Sequence, residues 1–285
     1  MSRRTPNVRT TGGPLDGRTV LLTRRSAEST ALTTALTSHG AHVDCLPTTR
    51  CQPTSADSPE LAPLDEPELY NYVAFTSRPA ASLFVELLQA RLGPHRTPQA
   101  LAAWRRRHIA AVGAGTRSAL EDAGLPVRTL ATPEEVSRVG GANALADQLL
   151  RETSLGRGDR VILPQSRIAR PELRHRLQAT GAVVDRVPLY DTVPEDVASA
   201  TAFVSTAAHG KLPDVVIFLS PSAVHGFLQI TAPHGETALV SERLRVVSIG
   251  ATTSTALEEH GIPITAQATR PEPAALAQAV VRALE

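Results

Sequence analysis

Few side chains in this 285-residue chain stand where their type and spacing could do chemistry. Ser77 closes the run Asn71-Tyr-Val-Ala-Phe-Thr-Ser77, and Ser220 closes Asp214-Val-Val-Ile-Phe-Leu-Ser220. A hydroxyl at that place suits a nucleophile or a helix N-cap. No GxSxG elbow and no Walker A sequence occurs, so the capping role is the simpler reading. Gly113-Ala-Gly115 follows an apolar run and invites a dinucleotide site. However, the third position of that fingerprint is Ser118, and the similar Gly250-Ala-Thr252 lacks the second glycine, so no nicotinamide cofactor is expected. Arg24-Arg25 ends another apolar run, where a planar guanidinium could fork onto a carboxylate ligand. Arg105-Arg106-Arg107 precedes a run instead and reads as solvated surface. Tyr190, one of three tyrosines, ends Val187-Pro-Leu-Tyr190, and its amphipathic ring suits packing and function equally.

Other chemistries find no support. Cys45 and Cys51 are the only cysteines, which makes neither a disulfide framework nor a zinc site. His39 and His42 lack acidic or histidine partners at ligand spacing, so no metal is expected. The net charge of +1 gives no footprint for nucleic acid or an anionic membrane. Lys211 is the only lysine, which coding bias toward arginine explains. No apolar run is long enough to span a bilayer, and Arg3-Arg4 has no apolar stretch behind it to make an export signal. Hydrophobic residues at 42% and charged residues at 20% are ordinary for a globular protein, and the expected location is the cytoplasm. The polar opening to about Pro14 is expected to be disordered.

The elements that must position these residues recur along the chain. Gly17-Arg-Thr-Val-Leu-Leu-Thr23 returns as Gly158-Asp-Arg-Val-Ile-Leu-Pro164. The Ser77 run returns as the Ser220 run, and Ile109-Ala-Ala-Val-Gly-Ala-Gly-Thr116 returns as Val246-Val-Ser-Ile-Gly-Ala-Thr-Thr253. The order is kept at a spacing of about 140 residues, the signature of an internal duplication. Each repeat reads as a buried β-branched strand and then a capping residue at Ser26, Ser77, Thr116, Ser220 or Thr253. An amphipathic helix follows and ends at Gly40, Gly124, Gly181 or Gly261. Strand alternating with helix predicts an α/β fold: two similar lobes of parallel sheet flanked by helices, with a ligand cleft between them. Gln52 to Glu68 and Pro194 to Pro213 show little periodicity and read as connections or irregular surface. Strand ends that lead into helix N-termini suit an anionic ligand.

Taken in order, Val20-Leu-Leu-Thr-Arg24, Phe75-Thr-Ser77, Ala111-Val-Gly-Ala-Gly-Thr116, Leu189-Tyr-Asp-Thr192, Phe218-Leu-Ser-Pro-Ser-Ala-Val224 and Ile249-Gly-Ala-Thr-Thr-Ser254 resemble the uroporphyrinogen-III synthase family from about Gly17 onward. The resemblance implies two α/β lobes joined by a two-stranded linker. Lobe 1 would comprise about residues 1–48 plus 193–285, lobe 2 about 53–188, and the linker strands 49–52 and 189–192. It implies a cyclising hydro-lyase of tetrapyrrole, porphyrin and heme biosynthesis. Its reaction would be the cofactor-free closure of hydroxymethylbilane, a linear tetrapyrrole with eight carboxylates, with loss of water and inversion of the last pyrrole ring. By the same likeness Tyr190 assists departure of the hydroxyl. Thr116 and Thr253 are the family's cleft threonines and Ser77 and Ser220 its strand-end serines, and the likeness implies that these four contact substrate while Arg24 holds carboxylate. Arg78-Pro79, Gln165, Asp191 and Thr269-Arg-Pro-Glu272 depart from the family pattern, and an acid beside Tyr190 would repel a polycarboxylate. Two other readings therefore stay open: a diverged relative taking another polyanionic small molecule, and a non-enzymatic two-lobed ligand sensor. A monomer is expected, with no nucleic-acid or membrane partner and no cofactor or metal.

Overall fold

The computed structural model describes residues 13–209, 212–234 and 244–285. The expected disordered opening lies outside the described residues except for Gly13 and Pro14, which stand at the turn into the first strand. The chain divides into two compact units. One is Cys51–Thr192; the other combines the described residues of Met1–Arg50 and Val193–Glu285.

The discontinuous unit holds a five-stranded sheet in the order β11-β10-β9-β1-β2. Its strands are β1 (Thr19–Leu22), β2 (His42–Cys45), β9 (Val215–Phe218), β10 (Arg245–Ser248) and β11 (Ala266–Gln267), all paired in parallel. The contiguous unit holds a six-stranded sheet in the order β3-β8-β7-β4-β5-β6. These strands are β3 (Thr49–Pro53), β4 (Tyr72–Phe75), β5 (His108–Val112), β6 (Thr129–Ala131), β7 (Arg160–Ser166) and β8 (Val183–Pro194). β3 and β8, which carry the chain between the units, are neighbours in it. With β3 set aside, the two orders match strand for strand along the sequence repeats, so the duplication is also a duplication of topology.

Helices cover both faces of each sheet, which is why the central strands are apolar throughout instead of alternating. The period of two survives in how their side chains are shared. Val20, Leu22, Val215, Ile217 and Val247 enter one core with helices α1 (Thr30–Ser38) and α10 (Pro273–Leu284). Leu21, Val216, Phe218 and Val246 enter another with α8 (Pro221–Thr231) and α9 (Ala251–Glu259). In the contiguous unit, Val73, Phe75, Ile109 and Ile162 pack with α2 (Arg78–Arg105) and α3 (Ala114–Asp122). Ala74, Ala110, Val161 and Leu163 pack with α5 (Gly141–Glu152) and α6 (Glu172–Gln178). α4 (Pro133–Val139) links β6 to α5.

Helices α1, α3 and α9 stop the same way. Leu125 N–H reaches back to Leu120 O at 2.9 Å and Gly124 N–H to Glu121 O at 2.8 Å, and Ala41 and Ile262 repeat the first bond. Gly40, Gly124 and Gly261 take positive φ in these turns, a conformation that costs side chains with a Cβ.

Two segments differ from expectation. Pro194 to Pro213 contains a 3-10 turn, Val197–Ala200, and helix α7 (Thr201–Ala208), whose short length left too few residues to show a period. Gln52 to Glu68 is not only surface: its 3-10 segment Pro59–Asp65 buries Leu61 and Leu64, and Trp104 Nε1–H donates to Leu64 O at 3.1 Å.

Packing and charge each yield a measurable consequence. Gly226 lies in α8 where a Cβ would come within 2.2 Å of Thr48 O, so α8 presses directly on backbone. Helix propensity alone would make Gly226→Ala stabilising by about 1 kcal/mol. The contact instead makes it destabilising by roughly 1–3 kcal/mol, read as a lower urea midpoint. In the contiguous unit, Thr129 Oγ–H donates to the Glu152 carboxylate at 2.6 Å, so His108 Nε2–H must donate to Thr129 Oγ at 2.9 Å. Burial, then Arg128, pushes the His108 imidazolium below its ordinary range. Below about pH 6.5 the unfolded chain therefore binds a proton that the folded one refuses. Stability should fall as pH drops from 7 toward 5, and His108→Gln should flatten that slope in urea titrations.

Candidate active site

Tyr190 owes its direction to an irregularity. Strands β7 and β8 pair in step from Arg160 with Val183 to Gln165 with Pro188, after which Ser166 faces Tyr190. Leu189 is the extra residue of a β-bulge, and the alternation of faces breaks there. Val187, Leu189 and Tyr190 consequently all enter the same core. The bulge is pinned by backbone bonds from Thr54 N–H to Leu189 O and from Arg167 N–H to Tyr190 O, both 2.9 Å, and by the Thr54 hydroxyl on Pro188 O at 2.7 Å.

Tyr190 is 7% exposed, and its Oη lies 3.3 Å from Ser77 Oγ. Ser77 has extended backbone and caps α2, accepting from Ala80 N–H at 3.3 Å. Pro79 fits the first turn because its missing N–H would have found no partner there. Burial pushes the Tyr190 phenol upward and the Ser77 hydrogen bond pulls it back in part, so the phenol keeps its proton at neutral pH. A protonated phenol in a largely dry position is a proton donor.

The duplicate position, Ser220, caps α8 in the same way, accepting from Ala223 N–H at 3.1 Å. Its second hydroxyl partner is Ser222 at 3.0 Å, where Ser77 has a tyrosine. Thr116 and Thr253 do not cap their helices. Gly113 and Gly250 take the N-cap positions without a side-chain bond, and the threonines lie inside the first turn, 4% and 2% exposed. Glycine at 113 has φ 78°, which lets the strand turn sharply into α3. Ser26 is likewise no cap of α1. The helix starts after Ser29, whose hydroxyl donates back to Arg25 O at 3.0 Å.

Arg24 follows β1 and is exposed, 3.6 Å from Glu28. Arg25 pairs with Glu195. Ser77 and Tyr190 are thus brought together, while no hydrogen bond links Arg24, Ser220 and Thr253 to one another among the described residues. Arg106 and Arg107 share Glu68 and Arg105 donates to Gly124 O at 2.7 Å, so all three members of that basic triplet are engaged away from the carboxyl ends of the strands. No group of His, Cys, Asp or Glu that could hold a metal ion occurs among the described residues.

Three features lay beyond sequence reasoning. Arg167 forks onto both oxygens of Glu60 at 2.7 and 2.8 Å and reaches Asp191 at 3.2 Å, so the acid beside Tyr190 does not stand uncompensated. Arg78 is exposed at the first position of α2, beside Gly115, without an ion-pair partner among the described residues. Ser254 donates to Gln267 and hydrogen-bonds Ser248, both at 2.7 Å, forming a buried polar link from α9 to β10 and β11. Arg78, Asp191 and Ser254 stand out in the sequence, but nothing in spacing announced their neighbours. Hydrogen bonding to Arg167 holds the Glu60 carboxyl below its usual range. Arg167→Gln should let it rise, visible as an upward shift of the Glu60 carboxylate NMR titration; an unmoved curve would dissolve the fork.

Comparison with known proteins gives a consistent answer. The family model for uroporphyrinogen-III synthase HemD matches residues 30–278. A protein of Methanothermobacter thermautotrophicus strain Delta H that carries the uroporphyrinogen-III synthase name is 29% identical over 195 residues, 68% of this chain and 70% of that protein. Among solved structures, uroporphyrinogen-III synthetase of Helicobacter pylori 26695 aligns with TM-score 0.59 and 18% identity over 94% of this chain and all of that one (100%). A mutant uroporphyrinogen III synthase of Thermus thermophilus aligns with TM-score 0.53 and 19% identity over 94% and 99%. At these identities the two structures show a common fold.

Proposed function

This chain belongs to the uroporphyrinogen-III synthase family, and from that premise we propose that it closes hydroxymethylbilane to uroporphyrinogen III with loss of water and inversion of the last pyrrole ring. The observation that carries the chemical reading is the buried Tyr190 phenol held 3.3 Å from Ser77 at a strand end. The conversion is a dehydration and ring closure without net redox change, so a proton donor and a fixed geometry meet its demands. Tyr190 gives its proton to the departing hydroxyl, and the pyrrole nitrogen supplies electrons to the methylene left behind.

Spontaneous closure yields the uninverted isomer, so the enzyme's larger task is positioning: it must bring the substituted carbon of the last ring to the methylene. Carboxylates are the handles available for that. Helices α3 and α9 begin with free backbone N–H groups and the positive end of the helix dipole. Thr116 and Thr253 lie in those first turns and Ser220 beside a third, and together with Arg24 they are our candidates for substrate contact. Asp191 is less of an obstacle than its charge suggests, because Arg167 holds it.

No helix among the described residues is long and apolar enough to cross a membrane. A monomer working in the cytoplasm fits a small polyanionic substrate, and we include both in the proposal.

The test is direct. Hydroxymethylbilane is generated in situ, the protein added, and the oxidised uroporphyrin isomers resolved. The type III isomer is expected; type I alone, as without enzyme, would sink the assignment. Tyr190→Phe should slow type III formation by roughly 10²-fold or more, the usual size of a general-acid contribution. Unchanged kinetics would remove Tyr190 from the mechanism.

A further inference from the structure

The Ser77 hydroxyl has one proton and two neighbours. Its oxygen accepts the Ala80 N–H at the α2 N-terminus, so its own O–H is left to donate. Tyr190 Oη, at 3.3 Å, is the partner within reach. In the duplicated unit the same cap faces Ser222 instead, so capping alone does not require this link. The bulge at Leu189 then gains a purpose, because it turns the phenol toward this one hydroxyl.

We propose that Ser77 is a positioning residue acting through Tyr190: its O–H donates to the phenolic oxygen as the phenol gives up its proton. The proposal rests on the cyclase reading above and reassigns Ser77 from substrate contact to support of the donor. In the step, the carbon–oxygen bond of the hydroxymethyl group breaks with both electrons leaving on oxygen. The Tyr190 proton joins that oxygen to complete water, and the pyrrole nitrogen lone pair fills the deficit at the methylene carbon. Tyr190 is left as a phenolate. Ser77 O–H, polarised by Ala80 N–H and the positive end of α2, is the donor that meets the new charge. Because the attacked carbon carries no hydrogen, its bond to the old bridge breaks; that bridge carbon then bonds the free α-carbon of the last ring, and the one proton lost from that carbon restores the phenol.

The largely dry surroundings of the phenol explain why such a donor is needed. Burial pushes the phenol upward most, the Ser77 bond acts the other way, and Cys51 on β3 adds a smaller upward push. Asp191, next in the chain, is engaged by Arg167 with Glu60, and Arg78 adjoins Ser77 at the start of α2.

The experiment compares Ser77→Gly, Ser77→Ala and Ser77→Thr, each with Tyr190 and with Tyr190→Phe. Glycine is itself an acceptable N-cap, so Ser77→Gly removes the hydroxyl while disturbing the helix little. Loss of a hydrogen bond to a charged group should lower kcat for the type III isomer about tenfold or more, with KM nearly unchanged. Ser77→Thr should retain most of the activity. In the Tyr190→Phe background, Ser77→Gly should cost nothing further. A rise in KM at constant kcat, or an equal loss in both backgrounds, would return Ser77 to substrate contact. A second arm needs no turnover. The chain has three tyrosines, so the difference in tyrosinate absorbance between the protein and Tyr190→Phe isolates Tyr190. Ser77→Gly should move that midpoint upward by about half to one pH unit. A midpoint that stays put overturns the proposal whether or not the type III isomer is made, which keeps its failure separate from failure of the cyclase assignment.

Discussion

A parallel sheet covered by helices on both faces offers its side chains no route to solvent except at the strand ends. Both units obey that constraint: Phe218, Phe75, Val216 and Ile162 are wholly buried, and the polar residues of interest gather where strands give way to helices. The same constraint decides which polar groups survive there. A hydroxyl at a strand end must satisfy itself on a helix N-terminus or on a neighbour. Ser77 and Ser220 do the first, and Thr116 and Thr253 are carried into the first turns behind Gly113 and Gly250.

Duplication gave the two units the same strand order and the same helix endings, so their differences are informative. Ser77 and Ser220 are equivalent caps, yet only Ser77 faces a phenol. The difference comes from β8, which is long, carries one extra residue at Leu189, and runs past the end of its unit at Thr192 as far as Pro194. Divergence of one strand inside a repeated frame was enough to set a buried phenol against one of the two caps.

Much of the frame was legible in the amino-acid order. Val-Val-Ile-Phe at 215–218 announces a strand buried on both faces, and Gly40, Gly124 and Gly261 mark helix ends by a conformation that side chains resist. What stayed hidden was set by pairing rather than by local type. The bulge at Leu189 depends on which residue of β7 faces which of β8, and no property of Leu189 reports that. Arg167 lies far from Glu60 in sequence, so their ion pair has no signature in spacing. Thr116 and Thr253 look like caps in sequence, and only the backbone angles put the cap three residues earlier. Of the candidate side chains, Ser77 was readable as a cap; its second hydroxyl partner was not.

The place of β1 has a further consequence, one of timing. β1 is made first, yet it fills a central position in its sheet between β2 and β9, with Val20 beside Val215. The chain must emerge as far as Phe218 before that slot has both walls, whereas Cys51–Thr192 is one uninterrupted stretch that can close on its own. Pairings of such long sequence separation are slow to form, and during synthesis domains fold as units in the order they appear. The contiguous unit is therefore built to fold first, while Thr19–Leu22 and Thr30–Ser38, apolar on their inner faces, wait through that interval without a sheet to join. The early segment is the part of this protein with most to gain from a chaperone.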